Sequence, residues 1–450
     1  MRFTFRKIAY CVLGVYCLIT CYTGFLVLKR RAYASYSAQD QEQFLLSKIK
    51  SLSEIADDAD WNPWGEQFAE EGMVVRHHAA PEILWGPVER PLGKRSPLVS
   101  HDNNTLQDDL VVEVWGKAAI GLYLWEHIFQ AELEERLNGV WSYGSKKIGA
   151  ITFRFRTGPG VIPSKVPKDT ENVLLVLNGR EASKVDFAKM WLDFLPSLPR
   201  LRNAAVVLLG NEQCRNSWLL PYLKLPGSRL RSVFLVYDSP LVDNVQFYQW
   251  PLGVATYRDF PKVESSHLPL SLRRKYTCNF LGTVYRNSSR ETLLSVVHNS
   301  RYANSSFVKP RMEWLPKETD ETKGDYLHAL QQSDLTLSPV GQNSECYRIY
   351  EAMAYGSVPV IEDVMTPGLC GASPASKLFP LRILKELEAP VIYLKDWKTL
   401  PKILEAEARM SHEEKVERRK RLVKWYENFK TVLRDRMVKV LENRFFNINR

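Results

Sequence analysis

The chain has 450 residues, 45% of them hydrophobic and 25% charged, enough to bury two cores of ordinary domain size and hardly three. Its formal charge of +10, from 61 basic against 51 acidic residues, is compatible with nucleic acid, an anionic membrane face or a phosphate-bearing substrate. Much of the basic excess flanks an apolar N-terminal run or lies at 415–421, where glutamates are interleaved as on a solvated helix face, so nucleic acid is excluded as the expected partner.

The first predicted element is the charge-free run 8–28, which as a helix extends roughly 30 Å and can span a bilayer. It ends in Lys29-Arg30-Arg31 rather than in small residues, which favours an uncleaved anchor over a cleaved signal peptide. Arg2, Arg6 and Lys7 on the other side leave the charge rule for orientation balanced. Sequons at Asn103, Asn287 and Asn304 and the four cysteines beyond the anchor, Cys214, Cys278, Cys346 and Cys370, favour a body on the luminal side with disulfides. Four free thiols in a cytosolic domain is the opposing reading. The expected organisation is a cytosolic tail at 1–7, the anchor at 8–28 and a stem at 29–106, polar and punctuated by proline. Within the stem, Trp61-Asn62-Pro63-Trp64 reads as a segment that docks onto the catalytic body.

Beyond the stem, strand-like apolar runs alternate with helical patterns. The runs 110–115, 173–177, 204–209 and 233–237 read as strands, with helices expected at 118–132 and between 178 and 202. After Trp250-Pro251-Leu252-Gly253 a second series begins, with strands at 278–281, 335–337, 358–361 and 391–394. A long last helix opens at Ser411 with Glu414 three residues on, a capping box, and carries Trp425, Tyr426 and Phe429 on its apolar face. The expected fold is α/β and GT-B-like: two Rossmann-like domains, 107–251 and 252–450, facing a cleft and preceded by one transmembrane helix and a stem.

The stretch from Ser333 to Val360 carries the most chemistry. Strand 335–337 is followed by the polar loop Ser338-Pro339-Val340-Gly341-Gln342-Asn343-Ser344-Glu345, then by a helix with Tyr347, Arg348 and Glu351 in its opening turns. A loop feeding a helix N-terminus offers backbone N–H groups and a positive dipole end to a diphosphate. Arg348 adds a charge-assisted fork for phosphate oxygens, and Glu351 one turn on can accept ribose hydroxyls. An ordinary strand-to-helix connection with Arg348 and Glu351 in a surface pair is the plain alternative.

Residues 333–360 resemble the donor-binding signature of exostosin-like glycosyltransferases, and Phe280-Leu281-Gly282-Thr283 followed by Arg290 resembles that family's entry into the same domain. Over a wider span, Trp61-Asn62-Pro63-Trp64, Val114-Trp115-Gly116-Lys117 through Glu126-His127, 208–214, Tyr237-Asp238-Ser239-Pro240 and 249–258 resemble the ribitol xylosyltransferases of the α-dystroglycan O-mannosyl glycan. The resemblance implies UDP-xylose as donor and a ribitol-phosphate-bearing O-mannosyl glycan of α-dystroglycan as acceptor. It also implies a β1,4-xylosyl product, and a type II protein of the Golgi membrane working alongside other transferases of its pathway. Donor binding then falls to Gly282, Arg290, Ser338, Gly341, Asn343, Ser344, Tyr347, Arg348 and Glu351.

A β product from an α-linked donor requires inversion and a base near the acceptor hydroxyl. Glu212 and, after it, Asp238 stand at expected strand ends facing the cleft, although both are also ordinary turn residues; Glu126-His127 is a third pair. The Asp58-Ala59-Asp60 pattern lies in the stem, so no obligatory metal is expected. Two other functions stay open: an exostosin-type transferase on heparan-like chains, and an inert luminal scaffold for another transferase.

Overall fold

The computed structural model describes residues 110–136, 141–315, 318–365, 368–371 and 380–448. The expected anchor, the stem, the Trp61-Asn62-Pro63-Trp64 cluster and the sequon at Asn103 lie outside the described residues. Among the described residues no helix is long and apolar enough to cross a membrane.

The fold is α/β, with two sheets whose strands run largely parallel. In the first, β1 (Leu110–Gly116) leads into a short helix α1 (Ile120–Leu122) that continues as a π-helical turn, Tyr123–Ile128, instead of the regular helix expected over 118–132. The wider turn sets Trp125 and Phe129 side by side, 5.3 Å from Phe155 and 4.8 Å from Phe153 between ring centroids. Next come three strands that the apolar runs did not signal, β2 (Glu134–Arg136), β3 (Trp141–Ile148) and β4 (Ile151–Thr157), paired antiparallel. Then follow β5 (Asn172–Asn178), α2 (Ala182–Phe194), β6 (Asn203–Leu209), α3 (Leu220–Lys224), β7 (Leu230–Val236) and β8 (Phe247–Trp250). The strand order is β2-β3-β4-β1-β5-β6-β7-β8, parallel from β4 onward. Helices cover both faces of β6, which is why its seven residues are continuously apolar apart from Asn203 and all buried.

The second sheet comprises β9 (Tyr276–Thr283), then after α4 (Ser289–His298) β10 (Ser306–Arg311), and after α5 (Asp320–Gln332) β11 (Ser333–Ser338). It is completed by α6 (Tyr347–Ala354), β12 (Val358–Glu362), α7 (Arg382–Glu386), β13 (Ile392–Leu394) and α8 (Leu400–Arg409). All five strands are parallel, in the order β10-β9-β11-β12-β13.

The long last helix, α9 (His412–Phe446), opens with the capping box expected at Ser411 and Glu414. At about 1.5 Å per residue it is long enough to pass from one sheet to the other. Arg419 near its start binds Asp334 and the carbonyls of Leu270 and Leu272 on the second sheet's side. At its end, the Phe445 carbonyl accepts from Asn203 and Arg444 donates to the Val245 carbonyl on the first. Its buried Tyr426, Phe429, Leu433, Met437 and Leu441 belong to one apolar cluster that runs from β1 through β12, so the two halves share a core.

Between the sheets the chain crosses at Gly253, whose φ of 75° suits glycine and where a Cβ would lie 2.3 Å from the Tyr123 ring. The halves are also joined by a disulfide, Cys214–Cys370. The other two cysteines of the expected set stay thiols: Cys278 is buried in the middle of β9 against the Ser306 hydroxyl, and Cys346 precedes α6.

Candidate active site

In the second sheet the chain steps from β9 outward to β10 and then back past β9 to β11, so the β9/β11 boundary is its topological switch point, where the carboxyl ends of open parallel sheets receive ligands. A cavity of about 400 Å³ opens there. Six of the residues expected to bind the donor, Gly282, Arg290, Gly341, Tyr347, Arg348 and Glu351, line it together.

Two of the arginines in its wall, Arg290 and Arg348, are neighbours. Arg348 donates to the Leu281 carbonyl at 2.7 Å and lies 5.1 Å from the Phe280 ring centroid, while its buried Nε has no hydrogen-bond partner among the described residues. Arg290 donates to the carbonyls of Thr283 and Val340. Burial, with the neighbouring Arg348 charge, brings the Arg290 pKa down to about 10. The glycines make room for these groups: a Cβ on Gly282 would lie 2.7 Å from Arg348 Nη2, and one on Gly341 2.9 Å from Arg290 Nη2. The N-cap of α6, Cys346, makes no side-chain cap, so this helix end adds uncapped N–H dipoles to the same positive pole.

Glu351 is buried, with one oxygen accepting from the Ala255 N–H at 3.0 Å and the other from the Tyr326 hydroxyl; burial raises its pKa. It therefore ties α6 to the chain just beyond the crossing between sheets. Ser338, Asn343 and Ser344 do not line the cavity. Ser338 and Ser344 are buried, and Asn343 reaches across the halves to donate to the Glu212 carbonyl at 2.8 Å.

Both base candidates stand at the carboxyl end of the first sheet, and both are ion-paired. Glu212, half-buried after β6, meets Arg180 at 2.5 Å and accepts from the Tyr237 hydroxyl at 3.4 Å. Asp238, buried after β7, meets Arg382 of α7 at 3.2 Å and accepts from the Arg382 backbone N–H. Burial pushes the Asp238 pKa up to about 6 against the pull of Arg382. His127 packs on Tyr123 in the π-helical turn, and burial, with Lys430 and Lys262 nearby, lowers its pKa to about 4. Asn287 and Asn304 are both exposed.

The motif reading passed over Glu345 and Arg180. Arg180 lies two residues beyond the end of β5 at Asn178, a placement that marks it as a carboxyl-end residue. Glu345, in the loop before α6, accepts from the Leu252 N–H and the Tyr350 hydroxyl, and burial raises its pKa to about 7. A carboxyl whose pKa is higher folded than unfolded makes the native state hold the extra proton, so stability falls as pH rises from about 4.5 to 7. Glu345→Gln keeps the acceptor oxygen and removes the titration. The variant should lose part of the parent's decline in melting temperature between pH 5.5 and 7.5, on the order of 2–4 °C. Asp238 supplies a residual decline of the same sign; identical pH curves for parent and variant would refute the assignment.

The RXYLT1 N-terminal domain family matches residues 112–251, and the RXYLT1 C-terminal domain family matches residues 257–446. Ribitol-5-phosphate xylosyltransferase 1 of Danio rerio is 45% identical over 454 residues, and that of Homo sapiens 41% over 461, each alignment covering 100% of both chains. Among solved structures, the catalytic domain of starch synthase IV from Arabidopsis thaliana, bound to ADP and acarbose, matches at 9% identity over 74% of this chain and 99% of that one, with a TM-score of 0.37. An alpha1,3-fucosyltransferase matches at 9% identity over 77% and 85%, with a TM-score of 0.30.

Proposed function

This chain belongs to the ribitol-5-phosphate xylosyltransferase family, and from that membership we propose its complete reaction: xylose passes from UDP-xylose to a hydroxyl of ribitol 5-phosphate, with inversion, to give a β1,4 linkage. The enzyme is a glycosyltransferase that moves xylose onto ribitol phosphate. The nucleotide, the stereochemistry, the carrier glycan and the membrane are our reading, as is the GT-B-like plan of two Rossmann-like halves about a cleft.

One observation carries the choice of a nucleoside diphosphate donor: the cavity of about 400 Å³ is lined by the Arg290 and Arg348 guanidiniums beside a helix N-terminus, by Arg258 and Arg311, which are paired with Glu318, and by the aromatic groups Tyr257, Phe260, Trp314 and Tyr326. A diphosphate suits the guanidiniums beside the helix N-terminus and a base the aromatic groups. In a single displacement the acceptor oxygen attacks the anomeric carbon, the bond from that carbon to the diphosphate oxygen breaks, and UDP leaves with the electron pair. Arg348 and Arg290 offset the charge that develops on the leaving oxygen, which supports turnover without an obligatory metal. The hydroxyl proton passes to a carboxylate of the first half, and we assign Glu212 ahead of Asp238.

The charge-free run 8–28, the exposed Asn287 and Asn304 and the Cys214–Cys370 bond support a single-pass type II protein of the Golgi membrane with its catalytic body in the lumen. The acceptor is then the ribitol-phosphate-bearing O-mannosyl glycan of α-dystroglycan.

The test is transfer by the full chain from a panel of nucleotide sugars to a glycan ending in ribitol 5-phosphate, with and without chelator. Xylose transfer from UDP-xylose that survives chelation is expected. Activity restored only by manganese or magnesium would overturn the metal-free reading. Transfer from UDP-glucuronate or UDP-N-acetylglucosamine to a heparan-like chain would replace the acceptor, and no transfer by folded protein would leave a scaffold.

A further inference from the structure

The first sheet has a switch point of its own. From β1 the chain goes out to β4 on one side and then returns to β5 on the other, so the crevice lies between the carboxyl ends of β1 and β5. β1 ends at Gly116, where a Cβ would lie 2.4 Å from the Val176 carbonyl oxygen, and is followed by Lys117. β5 ends at Asn178 and is followed by Gly179 and Arg180. Two cationic residues thus follow these strand ends, Lys117 with its ammonium 5.8 Å from the Phe187 ring centroid and Arg180 paired with Glu212.

Arg180 is held firmly. Its N–H donates to the Asn178 side chain at 3.1 Å, its carbonyl accepts from the Asn211 side chain at 2.6 Å, and the residue is 9% exposed. Its guanidinium, paired with Glu212 at 2.5 Å, also feels Tyr237 and Tyr347, and Tyr347 lines the donor cavity. Arg180 therefore stands between the assigned base and the donor helix.

The chemistry of the acceptor narrows what such a cation is for. In ribitol 5-phosphate the hydroxyl that receives a 1,4-linked sugar is on the carbon next to the one bearing the phosphate ester. With bonds of about 1.5 Å, that places phosphorus roughly 4 Å from the attacking oxygen. Whatever binds the phosphate must lie beside whatever takes the proton. Of the cations near Glu212, Arg180 is in direct contact with it, and a guanidinium presents a fork that matches phosphate oxygens. Arg290 and Arg348 are committed to the donor diphosphate.

We propose that Arg180, in the β1/β5 crevice with Lys117 at its rim, binds the acceptor's phosphate and so sets which hydroxyl faces the donor. This rests on the acceptor assigned above.

The experiment compares ribitol 5-phosphate with ribitol as acceptors for the full chain and for Arg180→Gln, Arg180→Lys and Arg382→Gln, together with UDP affinity and melting temperature. The parent should prefer the phosphorylated acceptor. Arg180→Gln should lose about 10- to 100-fold more in kcat/KM for ribitol 5-phosphate than for ribitol, whose own smaller loss reports the missing cation beside Glu212, with no change in UDP affinity. Arg180→Lys, which keeps the charge and the packing of the stem, should fall between them. Equal losses for both acceptors, weakened UDP binding, or loss of preference in Arg382→Gln instead would overturn the assignment. A parent that transfers nothing to ribitol 5-phosphate would sink the proposed reaction. Calorimetric binding of ribitol 5-phosphate in the presence of UDP then judges Arg180 separately: abolished in Arg180→Gln it supports the site, retained it refutes it.

Discussion

Arg348→Ala is expected to lower kcat/KM for UDP-xylose by roughly 10³-fold, the scale of removing a cation from a departing phosphate. Arg348 is fixed before substrate arrives: it donates to the Leu281 carbonyl, lies against Phe280 and passes over Gly282, where any side chain would collide with it. A group held in place this way costs little reorganisation in the transition state, so kcat should fall further than KM rises. The same anchoring makes lysine a poor substitute, because an ammonium cannot keep the Leu281 contact and present a fork to the diphosphate together; Arg348→Lys should recover less than about a tenth of the loss. Steady-state kinetics beside melting curves decide the matter. A folded alanine variant within about threefold of the parent would remove Arg348 from the leaving-group site and, with it, the reading of the cavity as the donor's diphosphate pocket.

The donor side was legible because its parts are contiguous. Strand, glycine loop, helix start, Arg348 and Glu351 lie within 333–360, and a loop that must feed a helix N-terminus can be read from local signals alone. The acceptor side is assembled from single residues after β1, β5, β6 and β7, so Arg180 and Glu212 become partners only when β5 and β6 pair. Strands were missed where pattern and burial part company. β3 carries Ser145, Lys146 and Lys147 exposed, and β10 is a half-buried edge strand with Pro310 in it, so neither presents the apolar run that exposed β5 and β6 to view. The capping box of α9 was readable from Ser411 and Glu414, and so was its aromatic face. That this face would join two sheets was not, since spacing along a helix names the buried side and not what buries it. Cysteine parity pointed to pairing in general; Cys278, buried in the middle of β9, shows why parity cannot say which.

The choice between the two carboxylates sets burial against geometry. Asp238, raised to about 6, is nearer the pKa of an efficient general base at neutral pH. Yet Arg382 holds it through both its side chain and its backbone N–H, ties that join the two halves rather than open toward a substrate. Glu212 keeps a side chain 15% exposed beside Arg180, and its loop is fastened to the donor loop through Asn343. Glu212→Gln should therefore lower kcat by about 10²- to 10⁴-fold. Its KM for the phosphorylated acceptor should hold or fall, because Arg180 no longer shares its charge with a carboxylate. Asp238→Asn should cost melting temperature first and kcat only a few-fold. The pH profile separates the two independently of magnitude. A base with a pKa near 6 is protonated below that pH, so if Asp238 took the proton, kcat would decline on the acid side of about pH 6 and the decline would vanish in Asp238→Asn. That result, with a mild Glu212→Gln, would move the base to the α7 side of the cleft and make Arg382, the cation in contact with it, the first place to look for the acceptor's phosphate.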